Sequence, residues 1–119
     1  MEWKLDKNRP ICPQIKEQIC VKLARGDFKA HDRLSSVREV ALSAGVNPNT
    51  VQKAFVELEQ TGLIYSVRGS GWYASDNIET AKGIVGAMVK IKTAAYINEM
   101  QSFGFSLDEI KNYVEEWKE

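Results

Sequence analysis

Asn49, Thr50, Gln52 and Lys53 lie in one short stretch and offer carboxamide, hydroxyl and ammonium groups. Such groups bond to base edges and phosphate oxygens, and a Gln can pair bidentately with adenine in the major groove. Gln52 is therefore either a base reader or a phosphate contact. Arg38 and Arg68 add two cations suited to phosphate, and Gly69 beside Arg68 lets the backbone approach a ligand closely. Each has an ordinary reading as well. Asn47, Asn49 and Thr50 would serve as a polar cap and solvated face, Arg38 as an ion-pair partner on a helix surface, and Arg68 as a solubilising turn residue. Other chemistries lack their reagents. His31 is the single histidine and has no Cys, His or carboxylate cluster at ligand spacing, so no metal site is expected. No nucleophile with its base and no carboxylate pair is recognisable, so the chain is not read as an enzyme and no cofactor is expected. Gly69-Ser70-Gly71 is too short for a nucleotide loop and precedes a strand instead of a helix.

The polar groups need a helix to present them. The stretch from Asn47 to Gly62 reads NPNTVQKAFVELEQTG. Asn47 can cap it, Pro48 suits the first helical position, and Gly62 sits where a helix ends in a left-handed residue. Val51, Ala54, Phe55 and Leu58 form one apolar stripe. The opposite face shows Asn49, Thr50, Gln52 and Lys53, while the acids Glu57 and Glu59 are held back to the last turns. Upstream, Ser36-Val37-Arg38-Glu39 is a capping box. It opens a short helix with Val37, Val40 and Ala41 inward, ending near Ala44-Gly45, with Val46 packed beneath the turn. Two short helices across a Gly-containing turn make a helix-turn-helix. Downstream, Leu63, Ile64, Tyr65 and Val67 form a strand, Arg68-Gly69-Ser70-Gly71 turns, and Trp72-Tyr73-Ala74 returns. This hairpin is a wing, with Trp72 and Tyr73 expected in its core.

The flanks complete the frame. Met1 to Pro13 is polar, interrupted by two prolines, and expected to be an extended arm. Gln14 to Arg25 carries Ile15, Ile19 and Leu23 on one face and closes at Gly26. Phe28 to Leu34 is irregular, with a brief strand at Arg33–Leu34. Asp76 and Asn77 are cap candidates for a long helix over residues 78–102, with Ile84, Val85, Met88, Ile91, Ala95 and Tyr96 on its apolar side. Ser106-Leu107-Asp108-Glu109 is a second capping box, opening a last helix with Leu107, Ile110, Tyr113, Val114 and Trp117. The two helices are expected to form an antiparallel hairpin. Its apolar surface exceeds what so short a tail can bury, and a twofold dimer would cover it with its own copy. A ligand-stacking role for Trp117, Tyr113 or Tyr96 is the rival to that packed interface.

The domains expected are thus residues 1–75 for DNA binding and 76–119 for dimerisation. Bulk properties agree. The chain has 119 residues, 44% of them apolar, and no run long enough to span a bilayer. No secretory leader is visible at Met1–Pro10, so a cytoplasmic protein is expected. Net charge is zero, yet residues 1–75 hold 11 basic against 8 acidic side chains and residues 76–119 hold 5 against 8. That asymmetry fits a front part facing an anion. Cys12 and Cys20 lie in one helical stretch at roughly 12 Å, too far apart for a disulfide. They read as semi-buried free thiols, with a redox pair acting between subunits as the sharper alternative.

The stretch RLSSVREVALSAGVNPNTVQKAFVELEQTGLIYSVRGSGWYAS resembles the DNA-binding domain of the GntR family of bacterial transcription regulators. SVREVA, GVNPNTVQKAFVELEQTGLI and RGSGWY stand in family order and spacing. The NPNTVQKA string and the short two-helix tail resemble the YtrA-type subfamily, which lacks a large effector-binding domain. The resemblance implies a mostly α fold with a small β-hairpin: a winged helix-turn-helix followed by a two-helix dimerisation hairpin. It implies a homodimer on a palindromic double-stranded DNA operator, acting as a repressor, with an unidentified small-molecule effector left open. Carried onto this sequence, Arg38 takes the family's DNA-contacting position early in the second helix. Asn47, Asn49, Thr50 and Gln52 take the recognition-helix positions, and Arg68 and Gly69 the wing tip, which in the family reaches the minor groove. Ser36 and Lys53 fall at phosphate-contact positions. The expected dimer interface comprises Ile84, Val85, Met88, Ile91, Ala95, Tyr96, Ile110, Tyr113 and Trp117. The chain departs from the family where Ser35 replaces Pro, where His31 replaces Gly, and where the wing ends Gly71-Trp72-Tyr73-Ala74 instead of Gly-Thr-Phe-Val. The alternative function is a winged-helix module for protein–protein interaction, without DNA binding, which the neutral net charge would suit.

Overall fold

The chain runs α1 (Ile11–Arg25), α2 (Val37–Ala44), α3 (Pro48–Gln60), β1 (Ile64–Val67), β2 (Gly71–Ala74), α4 (Ile78–Ser102) and α5 (Leu107–Glu116) in the computed structural model, which describes residues 3–118. This is the expected mostly α architecture with one hairpin, a winged helix-turn-helix followed by a helical C-terminal region. Two compact units divide it inside α4, one up to Val85 and the other from Gly86, later than the expected boundary at Ser75. The first turns of α4 belong to the first unit because Ala81 is fully buried there and Val85 packs on the same core.

In the first unit the core gathers one stripe from each helix. Ile15, Ile19 and Leu23 come from α1, Val40 and Ala41 from α2, and Val51, Ala54, Phe55 and Leu58 from α3. Each helix stops at a left-handed glycine: Gly26 at φ 83°, Gly45 at φ 69° and Gly62 at φ 77°. At Gly62 the stop is a Schellman motif, with the Leu63 N–H donating to Leu58 O at 3.2 Å and the Gly62 N–H to Glu59 O at 2.9 Å.

α1 begins at Ile11, earlier than the expected start at Gln14. Pro13 falls in its first turn, where a backbone N–H has no partner within the helix, so the ring costs no bond. Of the expected arm, Met1 and Glu2 lie outside the described residues; the rest is strapped to α1. The buried Gln14 accepts the Asp6 N–H at 2.7 Å and donates to Asp6 O and Pro10 O, both at 2.9 Å. Gln18 exchanges a second pair of bonds with the Lys4 backbone.

The hairpin pairs Ile64 with Ala74, Tyr65 with Tyr73, Ser66 with Trp72 and Val67 with Gly71. Alternation along β2 sends Trp72 and Ala74 to one face and Tyr73 to the other. Trp72 packs edge-on against Phe55 at 5.4 Å, as expected of a core residue. Tyr73 does not join the core; it stacks on Tyr65 at 5.7 Å on the outer face. The segment before α2 adds a third edge. Arg33 bridges to Tyr73, the Leu34 N–H donates to Trp72 O at 2.9 Å, and the Ala74 N–H to Asp32 O at 2.8 Å.

In the second unit, the Ser106 box opens α5 as expected: the Glu109 N–H donates to Ser106 Oγ and the Ser106 N–H to Glu109 Oε1. The two helices close on each other through one apolar cluster beside the connecting turn. They meet near their junction, where Ile110 is 3% exposed among Tyr96, Met100, Phe105 and Tyr113. A ten-residue α5 covers little of α4, and the apolar residues of both helices stay largely in solvent.

Candidate nucleic-acid interface

The helix-turn-helix is held by local caps that aim its polar groups outward. Ser36 Oγ accepts the Glu39 N–H at 3.1 Å, and the Ser36 N–H donates back to Glu39 Oε1 at 3.1 Å. These bonds, the backbone one foremost, hold the exposed Glu39 carboxyl below its ordinary range. Asn47 Oδ1 accepts the Asn49 N–H at 2.8 Å, with Pro48 at the first helical position. The turn between the helices is tied from outside by Lys7 Nζ, which donates to Gly45 O at 2.8 Å.

With the α3 stripe buried, the opposite side of its first turns is presented to solvent. Asn49, Gln52 and Lys53 are exposed and Thr50 is half-buried. Asn49, Thr50 and Lys53 line one open groove of about 630 Å³ with Lys16, Glu57 and the start of α1. Glu57 is engaged there, paired with Lys16 Nζ at 3.5 Å and accepting from Cys12 Sγ at 3.2 Å. The carboxylate nearest the polar face is therefore partly neutralised by contacts within the chain. Arg38 is exposed on α2 and pairs with no acid among the described residues.

The wing tip is Arg68, Gly69 and Ser70, all exposed, with Gly69 left-handed at φ 79°. The Ser70 N–H closes the turn on Val67 O at 2.9 Å. Arg68 makes no ion pair among the described residues. Arg33 donates from Nη2 to Ser70 O at 2.8 Å. Lys7, Lys16 and Arg33 were missed as site neighbours in the sequence reading. The brief strand at Arg33–Leu34 was the one signal that could have placed Arg33 beside the wing.

Of the expected dimer residues, Ile91 is 70% exposed, Tyr113 58% and Trp117 69%, while Ile84, Ala95 and Tyr96 are also exposed and Met88 is half-buried. Val85 and Ile110 are covered within their own units. Cys12 and Cys20 are free thiols, both on α1. Burial above all pushes each up, helped at Cys12 by Glu57 and at Cys20 by Glu17. Among the described residues, no group of three His, Cys, Asp or Glu side chains is placed to hold a metal ion. No helix among them is long and apolar enough to cross a membrane.

Comparison with known proteins places this arrangement. Residues 13–74 match the family described as bacterial regulatory proteins, gntR family. The HTH-type transcriptional repressor YtrA of Bacillus subtilis is 38% identical over 109 residues, covering 90% of this chain and 83% of that protein. A GntR family transcriptional regulator from Listeria monocytogenes superposes with a TM-score of 0.80 at 35% identity, covering 96% of this chain and all of its own. The structure of AraR(DBD) in complex with operator ORE1 matches with a TM-score of 0.55 at 27% identity, covering 63% of this chain and 94% of that one.

Proposed function

The chain belongs to the gntR family of bacterial regulatory proteins and is a DNA-binding transcriptional regulator, and we propose that it acts as a repressor, binding a palindromic operator as a homodimer in the cytoplasm. The observation that carries this reading is the first half of α3: a capped helix, its stripe buried, presenting Asn49, Gln52 and Lys53 without a free acid beside them. Asn47, Asn49, Thr50 and Gln52 meet the major groove, and Ser36, Arg38 and Lys53 hold phosphates. Arg68 and Gly69 carry the wing into an adjacent minor groove. The likeness to AraR(DBD) on its operator and to the repressor YtrA supports this assignment. No catalytic step enters it.

The exposed apolar side of the second unit is the proposed dimer interface, with residues 76–119 as the dimerisation tail. Met88, Ile91, Ala95, Tyr96, Tyr113 and Trp117 supply it, and Ile84, exposed on the α4 turns that belong to the first unit, is proposed with them; Val85 and Ile110 serve the folding of their own units. A small-molecule effector would find in this unit an apolar hollow of about 310 Å³ lined by Tyr96, Met100, Phe105, Ile110 and Tyr113. Selection of the dimeric protein against random duplexes tests the whole reading. It is expected to enrich one palindrome with half-sites about one helical turn, ~34 Å, apart, and binding should weaken steeply with salt. A library that yields no palindrome at moderate salt overturns it and returns the protein–protein module.

A further inference from the structure

The wing tip has little of its own to hold it in place. Three residues separate the strands, and two of the four positions from Arg68 to Gly71 are glycines with positive φ, 79° and 140°. None of the tip side chains reaches the core. The restraint comes from another part of the chain. Arg33 lies in the extended segment before α2, and its backbone is bridged to Tyr73 of β2. From there its guanidinium spans to the tip and donates from Nη2 to Ser70 O at 2.8 Å. It also lies along the Gly71 backbone: a Cβ there would be in ordinary contact with Arg33 Nε at 3.4 Å and Nη2 at 3.5 Å. Tyr73 adds a second tie, its hydroxyl bonded to Ser70 Oγ.

We infer that Arg33 is a positioning residue for operator binding, fixing the reach and angle of the wing tip so that Arg68 and Gly69 meet DNA already ordered. Its cation is committed to the Ser70 carbonyl and works through the wing instead of on a phosphate. A flat guanidinium suits this use, because it can lie against the Gly71 backbone while donating in its own plane; an ammonium lacks that shape. Ordering the loop before binding removes part of the entropy cost that a free glycine loop would meet on contact with DNA. The inference rests on the proposed role of the wing in DNA binding.

The test is a double-mutant cycle on the full chain with the operator duplex selected from random DNA, joined to backbone ¹⁵N relaxation on the DNA-free protein. Arg33→Met keeps the stem and removes the donors. The order parameters of Gly69 and Ser70 are expected to fall from rigid values, about 0.85, toward the flexible range below about 0.6. Operator affinity is expected to fall about tenfold in the parent, and by no more than about twofold in an Arg68→Ala background. Equal losses in both backgrounds would make Arg33 a direct phosphate contact and overturn the inference. So would unchanged order parameters, whatever the affinity. If Arg68→Ala alone leaves affinity intact, the wing's part in DNA binding fails, while the relaxation data still decide whether Arg33 holds the tip.

Discussion

His31 Nδ1 lies 2.9 Å from the phenol oxygen of Tyr65, reached from a left-handed backbone at φ 69°. This is where the resembling family has glycine. A left-handed L-residue costs about 1–2 kcal/mol, and His is among those that tolerate it best. The bond to Tyr65 and the edge-on ring contact at 5.9 Å offset that cost. His31→Ala keeps the strained backbone and loses both contacts, so it should destabilise the fold by about 1–2 kcal/mol. His31→Gly loses the same contacts but relieves the backbone, and should cost less than half as much. Urea unfolding of the two variants checks the order; Ala equal to or more stable than Gly would remove the strain argument.

Gln52 and Lys53 are neighbours with different expected roles. Gln52→Ala should lose about 1–3 kcal/mol on the preferred base pair and relax specificity at that position alone. Lys53→Ala should weaken binding to all duplexes alike and lower the salt slope by about 0.9 for each subunit, about 1.8 for the dimer. Titrations against single-base operator variants at several salt concentrations separate them. Uniform weakening by Gln52→Ala would assign it to phosphate.

What the sequence made legible was local. Ser36 with Glu39, Asn47 with Pro48, and the glycines 26, 45 and 62 each declare a boundary through bonds spanning a few residues, and α2, α3 and the wing stand where those signals put them. The wing face of Tyr73 was legible too, since a residue between Trp72 and Ala74 on a strand must point the other way, but its aromatic bulk suggested core. Bonds between elements were harder to see. Gln14 looks like a surface glutamine on a helix, and only the folded chain shows its carboxamide buried against the backbone of residues 6–10. Arg33 looks like one more exposed cation until the hairpin brings Ser70 to it. The prolines misled because Pro13 reads as a break, yet the first turn of a helix accepts it. The apolar positions of the tail looked alike in sequence, yet Ile110 is 3% exposed and Ile91 is 70% exposed.

Ile91 and Ile110 should therefore respond in different ways to substitution. Ile91 is 70% exposed, so Ile91→Asp leaves the folding of the single chain intact and puts a charge in the proposed interface. Sedimentation equilibrium should show a monomer that retains its helix content and binds operator far more weakly. Ile110 is 3% exposed, and Ile110→Ala should instead open a cavity and destabilise the C-terminal unit by about 2–4 kcal/mol. A dimer of undiminished affinity from Ile91→Asp would place the interface elsewhere.

Cys12 and Glu57 join the first turn of α1 to the recognition helix, thiol to carboxylate, at 3.2 Å. Burial first, then the bond and charge of Glu57, push the Cys12 thiol up, while Lys53 and Lys16 pull the other way. The same bond, with Lys16 and Lys53, draws the half-buried Glu57 carboxyl down. The signs yield two consequences. Because Glu57 is depressed in the folded state, the contact's support of the fold is complete above the unfolded carboxyl value, about 4.3, and is lost as pH falls through the lower folded value. Because only the thiolate is nucleophilic, Cys12 should alkylate slowly at neutral pH. Glu57→Gln removes the carboxylate's charge, leaves only a weaker neutral acceptor and keeps both lysines, so the thiolate fraction should rise. Iodoacetamide labelling followed by peptide mass mapping should show Cys12 reacting faster in that variant, with its rate–pH profile moved to lower pH. Cys20, raised by burial and Glu17 and not by Glu57, provides the reference and should keep its rate. A Cys12 rate that stays the same or drops would mean the carboxylate does not govern the thiol, and that burial alone sets its reactivity.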